Sequence, residues 1–213
     1  TLHAWVLLPA GWHERNDSHY PMIINHGHFS FQPWRGWSPE PPTLAPPPVA
    51  LSGDPDDCFY ENVGTCNVTA AWKQALAHEF YVNWTDLSNS SPFSRRRVLL
   101  IRLQHSTPLF DDSYAVNSAN LGPYGDAIVK ELLPAVAAQC RGLGPWARGL
   151  YGGSTGGWAA LAQQIFYPHE FNGAIGNAPD PVDFRSLGTL NIYDDINAFF
   201  STGTWAHGPA RAY

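Results

Sequence analysis

One short stretch constrains this chain more than any other: Arg148-Gly149-Leu150-Tyr151-Gly152-Gly153-Ser154-Thr155-Gly156-Gly157-Trp158. It reads as a short apolar strand, a glycine-crowded turn with one serine at its apex, and a helix running from Trp158 to Tyr167, with Pro168 just beyond its end. Gly152-x-Ser154-x-Gly156 is the nucleophile-elbow pattern. A serine at such an apex takes a strained backbone conformation that projects its hydroxyl. Strand and helix approach so closely there that a Cβ two residues before or after it would clash. The helix N-terminus behind Ser154 favours negative charge, which an acyl-transfer intermediate carries on an oxygen. The same letters also fit a glycine-rich βα turn that only packs.

The 213 residues suffice for one domain with a sizeable core. Only 14% are charged, the net charge is −6, and no basic block occurs, so nucleic acid is not an expected partner. No apolar run is long enough for a membrane span. The chain opens at Thr1 inside an apparent strand, so a processed or partial piece of a longer protein is expected. Four N-glycosylation sequons begin at Asn16, Asn67, Asn83 and Asn89. The last three fall close together in a loop-like region, which points to secretion. Cys58 and Cys66, in a polar loop, are candidates for a disulfide. Cys140 is left over at a helix end, either a buried free thiol or bridged to further chain.

In order, residues 2–9 read as a strand ended by proline. Residues 20–25 form a short apolar strand without alternation, as in a parallel sheet, and run into His26-Gly27-His28. Residues 30–93, with Pro41-Pro42, Pro46-Pro47-Pro48, scattered tryptophans and three sequons, form a long insertion interrupted by a helix near 70–81. An insertion of that length is usually functional, as a lid or binding loop. A strand at 98–104, a polar connection at 111–120 and an amphipathic helix at 124–140 follow, the helix with Ile128, Leu132, Leu133 and Val136 on one face and Pro134 as a kink. After the elbow, residues 171–177 are another buried strand. Strands alternating with helices predict an α/β fold, a mainly parallel sheet flanked by helices.

Acyl transfer needs backbone N–H donors where the oxyanion forms. One is the N–H of Thr155. The other comes from a loop after an earlier strand, often opening with His-Gly, and His26-Gly27-His28 holds that position. With both elements in place the chain resembles the α/β-hydrolase superfamily, in particular secreted esterases related to esterase D and the enterochelin esterases. The resemblance rests on Leu7-Leu8-Pro9-Ala10-Gly11-Trp12, residues 20–27, residues 117–134 and residues 152–157, most of the chain outside the insertion. It implies an α/β-hydrolase fold, Ser154 as nucleophile, and the N–H groups of Thr155 and His28 as the oxyanion hole, with no cofactor. His26-x-His28 after a strand also suits a zinc site, but the further ligands it needs are not evident, and no metal is expected. The aromatics Phe29, Phe31, Trp34 and Trp37 either pack the insertion onto the domain or wall a substrate pocket; flat rings stack on acyl groups and sugars.

The chain departs from the family order of serine, acid, histidine. His169 sits just past the elbow helix, and His207 lies in a Gly/Pro-rich tail without a strand before it. Asp180 and Asp183 follow the last strand directly, as candidates for the acid or as turn and cap residues beside Pro179 and Pro181. The expectation is therefore a secreted serine ester hydrolase seen without its C-terminal strands, one incomplete domain over 1–213. Its substrate would be an ester, with carbohydrate-linked esters among the candidates, and further polypeptide would line the open edge of the last strand and supply the histidine. The competing expectation is a catalytically silent hydrolase-fold glycoprotein, a structural or binding module in an extracellular assembly.

Overall fold

Sequence order and strand order differ in a way that locates the site. A computed structural model of the chain describes residues 2–27, 37–42, 63–88, 90–91, 93, 96–110, 112–186 and 191–196. Five strands form one sheet: β1 (His3–Leu7), β2 (Met22–His26), β3 (Leu99–Gln104), β6 (Arg148–Gly153) and β7 (Gly173–Asn177), in the order β1-β3-β2-β6-β7. Only β1 runs antiparallel to its neighbour; β2, β3, β6 and β7 are mutually parallel. A two-stranded ladder, β4 (Asn117–Ser118) with β5 (Gly122–Pro123), lies apart from it, inside and just after the polar connection at 111–120. The predicted α/β fold with a mainly parallel, helix-flanked sheet is the one observed.

From β2 the chain leaves through helix α1 (Val63–Thr85) to β3 on one side, whereas β6 leaves through helix α4 (Thr155–Phe166) to β7 on the other. Right-handed crossovers in opposite directions carry their helices to opposite faces and open a crevice at the carboxyl ends of the two strands. His26 ends β2 and Ser154 follows β6, so both stand at those carboxyl ends.

Met22, Ile24, Leu99, Ile101, Leu103 and Leu150 supply the buried face of the sheet. Ile128, Val129, Leu133 and Val136 cover it, as the predicted amphipathic helix requires, together with Ala159 and Ala160 of α4. That first helix is not uniform. It consists of α2 (Tyr124–Asp126), a π-helical segment (Ala127–Leu132) and α3 (Leu133–Cys140). The Leu133 N–H reaches back five residues to the Ile128 carbonyl. Pro134 has no N–H to give the Lys130 carbonyl and its ring needs room there, so the disturbance expected at Pro134 takes the form of a widened turn before it.

Helix α1 is longer than the predicted 70–81 and begins within the stretch read as loop. Val, Thr, Asn, Cys and Gly are poor helix formers, and local propensity is a weak term that tertiary context overrides. Cys66, Asn67 and Asn83 consequently stand in a helix, not in a polar loop. Cys58 and Asn89 lie outside the described residues, and Cys140 is a free thiol, partly buried. The far end of α1 is held by aromatic packing. Trp84 lies 5.0 Å from Phe93 and 5.6 Å from Phe80, and its indole N–H donates to the Leu8 carbonyl at 2.8 Å. Among the described residues β7 is the outer strand, and Ile175 on it is 66% exposed. No helix among them is long and apolar enough to cross a membrane.

Candidate active site

Ser154 stands between β6 and α4 with φ 52° and ψ −126°. A side chain other than hydrogen pays for this conformation, at a cost on the order of 1–3 kcal/mol. It persists because the neighbourhood leaves no alternative. A Cβ at Gly152 would fall on the carbonyl of Gly156, and one at Gly156 on the carbonyl of His26. A Cβ at Gly157 would lie 3.1 Å from the Gly152 oxygen and 3.2 Å from Pro179. Strand, turn and helix therefore touch backbone to backbone, as the glycine spacing predicts. The Ser154 N–H donates to the Asn177 carbonyl at 3.0 Å, and the Ser154 carbonyl accepts the Trp158 N–H at 3.1 Å. The serine side is solvent-exposed, while Thr155 beneath it is 3% exposed. The Thr155 N–H, in the first turn of α4, has no intrahelical acceptor and is free to donate to an oxyanion.

The second oxyanion donor expected, His28, lies outside the described residues, as do Phe29, Phe31, Trp34 and His207. Gly27, just before it, is tightly seated: a Cβ there would lie 3.1 Å from Arg102 Nε. Trp37 packs edge-on against Phe80 and Tyr81 of the insertion helix, at 5.8 and 5.0 Å. His169 is exposed in the turn after α4.

The two acid candidates part company. Asp180 comes to the elbow. Its Oδ2 accepts the Thr155 hydroxyl at 2.7 Å, its Oδ1 lies 3.5 Å from Ser154 Oγ, and its N–H donates to the Ser154 carbonyl at 3.3 Å. Asp183 is exposed and turns to its own neighbour, accepting the Arg185 N–H at 3.0 Å.

Behind the elbow lies a buried polar cluster that sequence reasoning did not assemble. His26, at the end of β2, points into the core and is 2% exposed. Its Nε2 lies 3.1 Å from Gln163 Oε1, and Gln163 Nε2 donates to the Ala115 carbonyl at 3.3 Å. Since Gln163 uses its amide nitrogen on Ala115, its oxygen accepts, and His26 carries its proton on Nε2. Nδ1 has no partner among the described residues. Burial foremost, and the charge that His105 would carry nearby, push the His26 pKa down to about 3, against the pull of the Gln163 hydrogen bond. The rings of His26 and His105 are 5.8 Å apart. His105 is itself lowered by burial, with Asp112 opposing. His105 Nδ1 faces Asp112 Oδ1 at 3.3 Å and Ser113 Oγ at 3.0 Å. A catalytic triad needs serine and acid on opposite ring nitrogens. Here both share one, and the cluster is structural. His26 is thus committed to the core, and among the described residues no group of three or more His, Cys, Asp or Glu side chains is placed to hold a metal ion. One sequence signal for the cluster existed: Gln163 is a polar residue inside the apolar run of α4.

This burial has a measurable consequence. The folded pKa of His26 lies below its ordinary 6.5, so only the unfolded chain takes up that proton between about pH 6.5 and 3. Stability is complete above that window and falls as pH drops through it, by about 1.4 kcal/mol per pH unit per histidine held neutral. Urea unfolding at pH 7, 6 and 5 is expected to show a falling midpoint, with a smaller fall in His26→Gln. A midpoint that holds level from pH 7 to 5 contradicts the burial of neutral His26.

No protein-family model matches the chain, and no curated protein matches it in sequence. Among solved structures it is similar to a ferulic acid esterase from the anaerobic fungus Anaeromyces mucronatus, at 11% identity and a TM-score of 0.42, over 85% of this chain and 59% of that one. It is also similar to the ferric enterobactin esterase of Salmonella typhimurium, at 15% identity and a TM-score of 0.43, over 83% of this chain and 32% of that one. A thermostable esterase aligns at 13% identity and a TM-score of 0.41, over 81% of this chain and 36% of that one. The chain spans less than two thirds of each. At TM-scores below 0.5 the chemistry of the site rests on its own geometry: a strained, exposed serine at a glycine-locked strand-to-helix turn, with a free helix-terminal N–H behind it and a carboxylate beside it.

Proposed function

We propose that this chain carries the nucleophile and oxyanion side of a secreted serine ester hydrolase of the α/β-hydrolase type. The observation that carries the reading is the backbone of Ser154, held at φ 52° and ψ −126° by close backbone contacts at Gly152 and Gly156. A turn that served packing alone would relax by placing glycine there. Ser154 Oγ attacks the ester carbonyl, and its proton passes to an imidazole contributed from outside the described residues. The tetrahedral oxyanion is held by the N–H groups of Thr155 and His28. The C–O bond to the alcohol then breaks, and water hydrolyses the acyl-enzyme. Asp180 is the carboxylate beside the serine in this reading, because it alone of the two candidates stands at the elbow. Carbohydrate-linked esters remain the proposed substrates, with aromatic residues of the insertion as the wall.

Of the two sequon asparagines whose exposure is described, Asn16 stands in an exposed turn and Asn83 is half-buried in a helix, so Asn16 is the proposed glycan site. The outer edge of β7, with Ile175 exposed, is the proposed seat of further polypeptide, since an unpaired apolar edge strand is an aggregation site.

The test is covalent. In the full protein a fluorophosphonate is expected to label Ser154: the Oγ–P bond forms, the P–F bond breaks, and the serine proton goes to the base. Peptide mapping locates the adduct. Folded protein that takes no label at Ser154 removes the enzyme reading and favours the silent module.

A further inference from the structure

The environment of Asp180 assigns Thr155 a second task, and this inference rests on the esterase reading above. The end of β7 and the segment after it are fastened to the elbow at three points, with a turn between the first and the second. The Asn177 carbonyl accepts the Ser154 N–H at 3.0 Å. Ala178 takes φ 42°, which turns the chain back toward the helix. Pro179 lies over Gly157, so close that a Cβ there would meet it at 3.2 Å. The Asp180 N–H then donates to the Ser154 carbonyl at 3.3 Å. Pro179 and Pro181 flank this carboxylate and restrict its backbone. What remains free is the rotation of the carboxylate itself, and among the described residues the short bond that holds it is from the Thr155 hydroxyl, 3% exposed at the residue level, donating to Oδ2 at 2.7 Å. Oδ1 is thereby left facing Ser154 Oγ at 3.5 Å.

That spacing excludes one arrangement. An imidazole binds serine and acid with nitrogens on opposite sides of its ring, so the two oxygens it bridges stand roughly 6 Å apart or more. It cannot be inserted between oxygens 3.5 Å apart. In this position the carboxylate does not orient the ring from behind. It stands beside the serine as a fixed negative charge, next to the place where an imidazolium forms when the serine proton is taken. A charge fixed before the reaction stabilises that cation without reorganisation.

We infer that Thr155 is a positioning residue through its hydroxyl, in addition to the oxyanion role of its backbone N–H: it pins the Asp180 carboxylate beside Ser154. The two roles separate by substitution, because Thr155→Val keeps the N–H and the shape and removes only the hydroxyl. A hydrogen bond to a charged group is worth about 10- to 100-fold in an equilibrium, which sets the scale of the loss expected when the carboxylate is released.

The experiment measures fluorophosphonate inactivation of the full protein, resolving the limiting rate kinact from the binding constant KI. For Thr155→Val, kinact is expected to fall at least about tenfold with KI unchanged, and Thr155→Ser to recover most of the loss. In an Asp180→Asn background, Thr155→Val is expected to change kinact less than about twofold, because the two act as one unit. Thermal midpoints confirm folding, and Thr155→Ala replaces the valine variant if valine does not fold. The inference is overturned if Thr155→Val reacts at the wild-type rate, if Thr155→Ser is as slow as Thr155→Val, or if the loss is equally large without Asp180. Wild-type protein unlabelled at Ser154 overturns the esterase reading itself and the inference with it. Labelled wild type with indifferent Thr155 variants overturns the inference alone.

Discussion

Ser154→Ala is expected to lose the proposed ester hydrolysis by about ten-thousand-fold or more while remaining folded, because in that mechanism no acyl-enzyme forms without Oγ and only the oxyanion donors and binding contribute. Stability and activity part in a diagnostic way at this residue. The φ of 52° and ψ of −126° are strained for serine and equally for alanine, so Ser154→Ala should leave the thermal midpoint nearly unchanged. Ser154→Gly removes the strain, about 1–3 kcal/mol, and gives back about 0.5–1 kcal/mol through the freer unfolded chain. Its midpoint is therefore expected at or above wild type, with activity equally lost. An inactive enzyme more stable than its parent marks a residue kept for chemistry. Hydrolysis assays and thermal melts of the three proteins decide it. A Ser154→Gly protein clearly less stable than wild type would show that the serine side chain is a packing element. Retained hydrolysis in Ser154→Ala would place the nucleophile elsewhere.

The second large effect is at Gly156. A Cβ there falls on the carbonyl oxygen of His26, and both atoms belong to backbone that other contacts hold. His26 is the last residue of β2, paired with Gly152 of β6. Relief requires separating α4 from β2, which opens the contact between the elbow and the start of the His26-Gly27 loop. Gly156→Ala is therefore expected to cost about 3 kcal/mol or more, against under 1 kcal/mol for an ordinary exposed site, and to abolish phosphonate labelling in whatever remains folded. Gly173, where a Cβ meets nothing within 4 Å, is the control: Gly173→Ala should be neutral to mildly stabilising. Urea unfolding of the two variants checks the contrast. Equal midpoints would mean that the elbow has slack that the backbone contacts deny.

How legible was all this in the sequence? The elbow was legible because its rule is short-ranged: glycines two residues either side of a strained serine answer to contacts formed within one turn. The inner strands were legible for the same reason, as mainly apolar runs such as 98–104; the last strand, expected to be buried, instead alternates between exposed and half-buried residues. The helix at 124–140 was legible in its apolar face, and Pro134 in its disturbance, but not in the form of that disturbance. The reach of α1 into Val63–Thr85 was not, because its first turns are written in residues that disfavour a helix.

The site divides along the same line. Asp180 and Asp183 are equivalent as letters, three apart beside prolines. Which one serves Ser154 follows from the parallel pairing of β6 with β7, which sets Gly153 opposite Asn177 and so brings the third residue beyond β7 under Thr155. His26 read as the opening of the oxyanion loop or as half of a zinc pair with His28, yet the alternation of β2 turns its ring inward beside Met22 and Ile24, where Gln163 of α4 receives it. By itself the sequence determined where the strained serine stands and that a parallel sheet must support it, since both follow from sterics and hydrophobicity along adjacent residues. Only the tertiary structure decided which carboxylate stands beside that serine and that the His26 imidazole turns away from it into the core, because those choices depend on strand register and face, set by contacts between segments far apart in the chain.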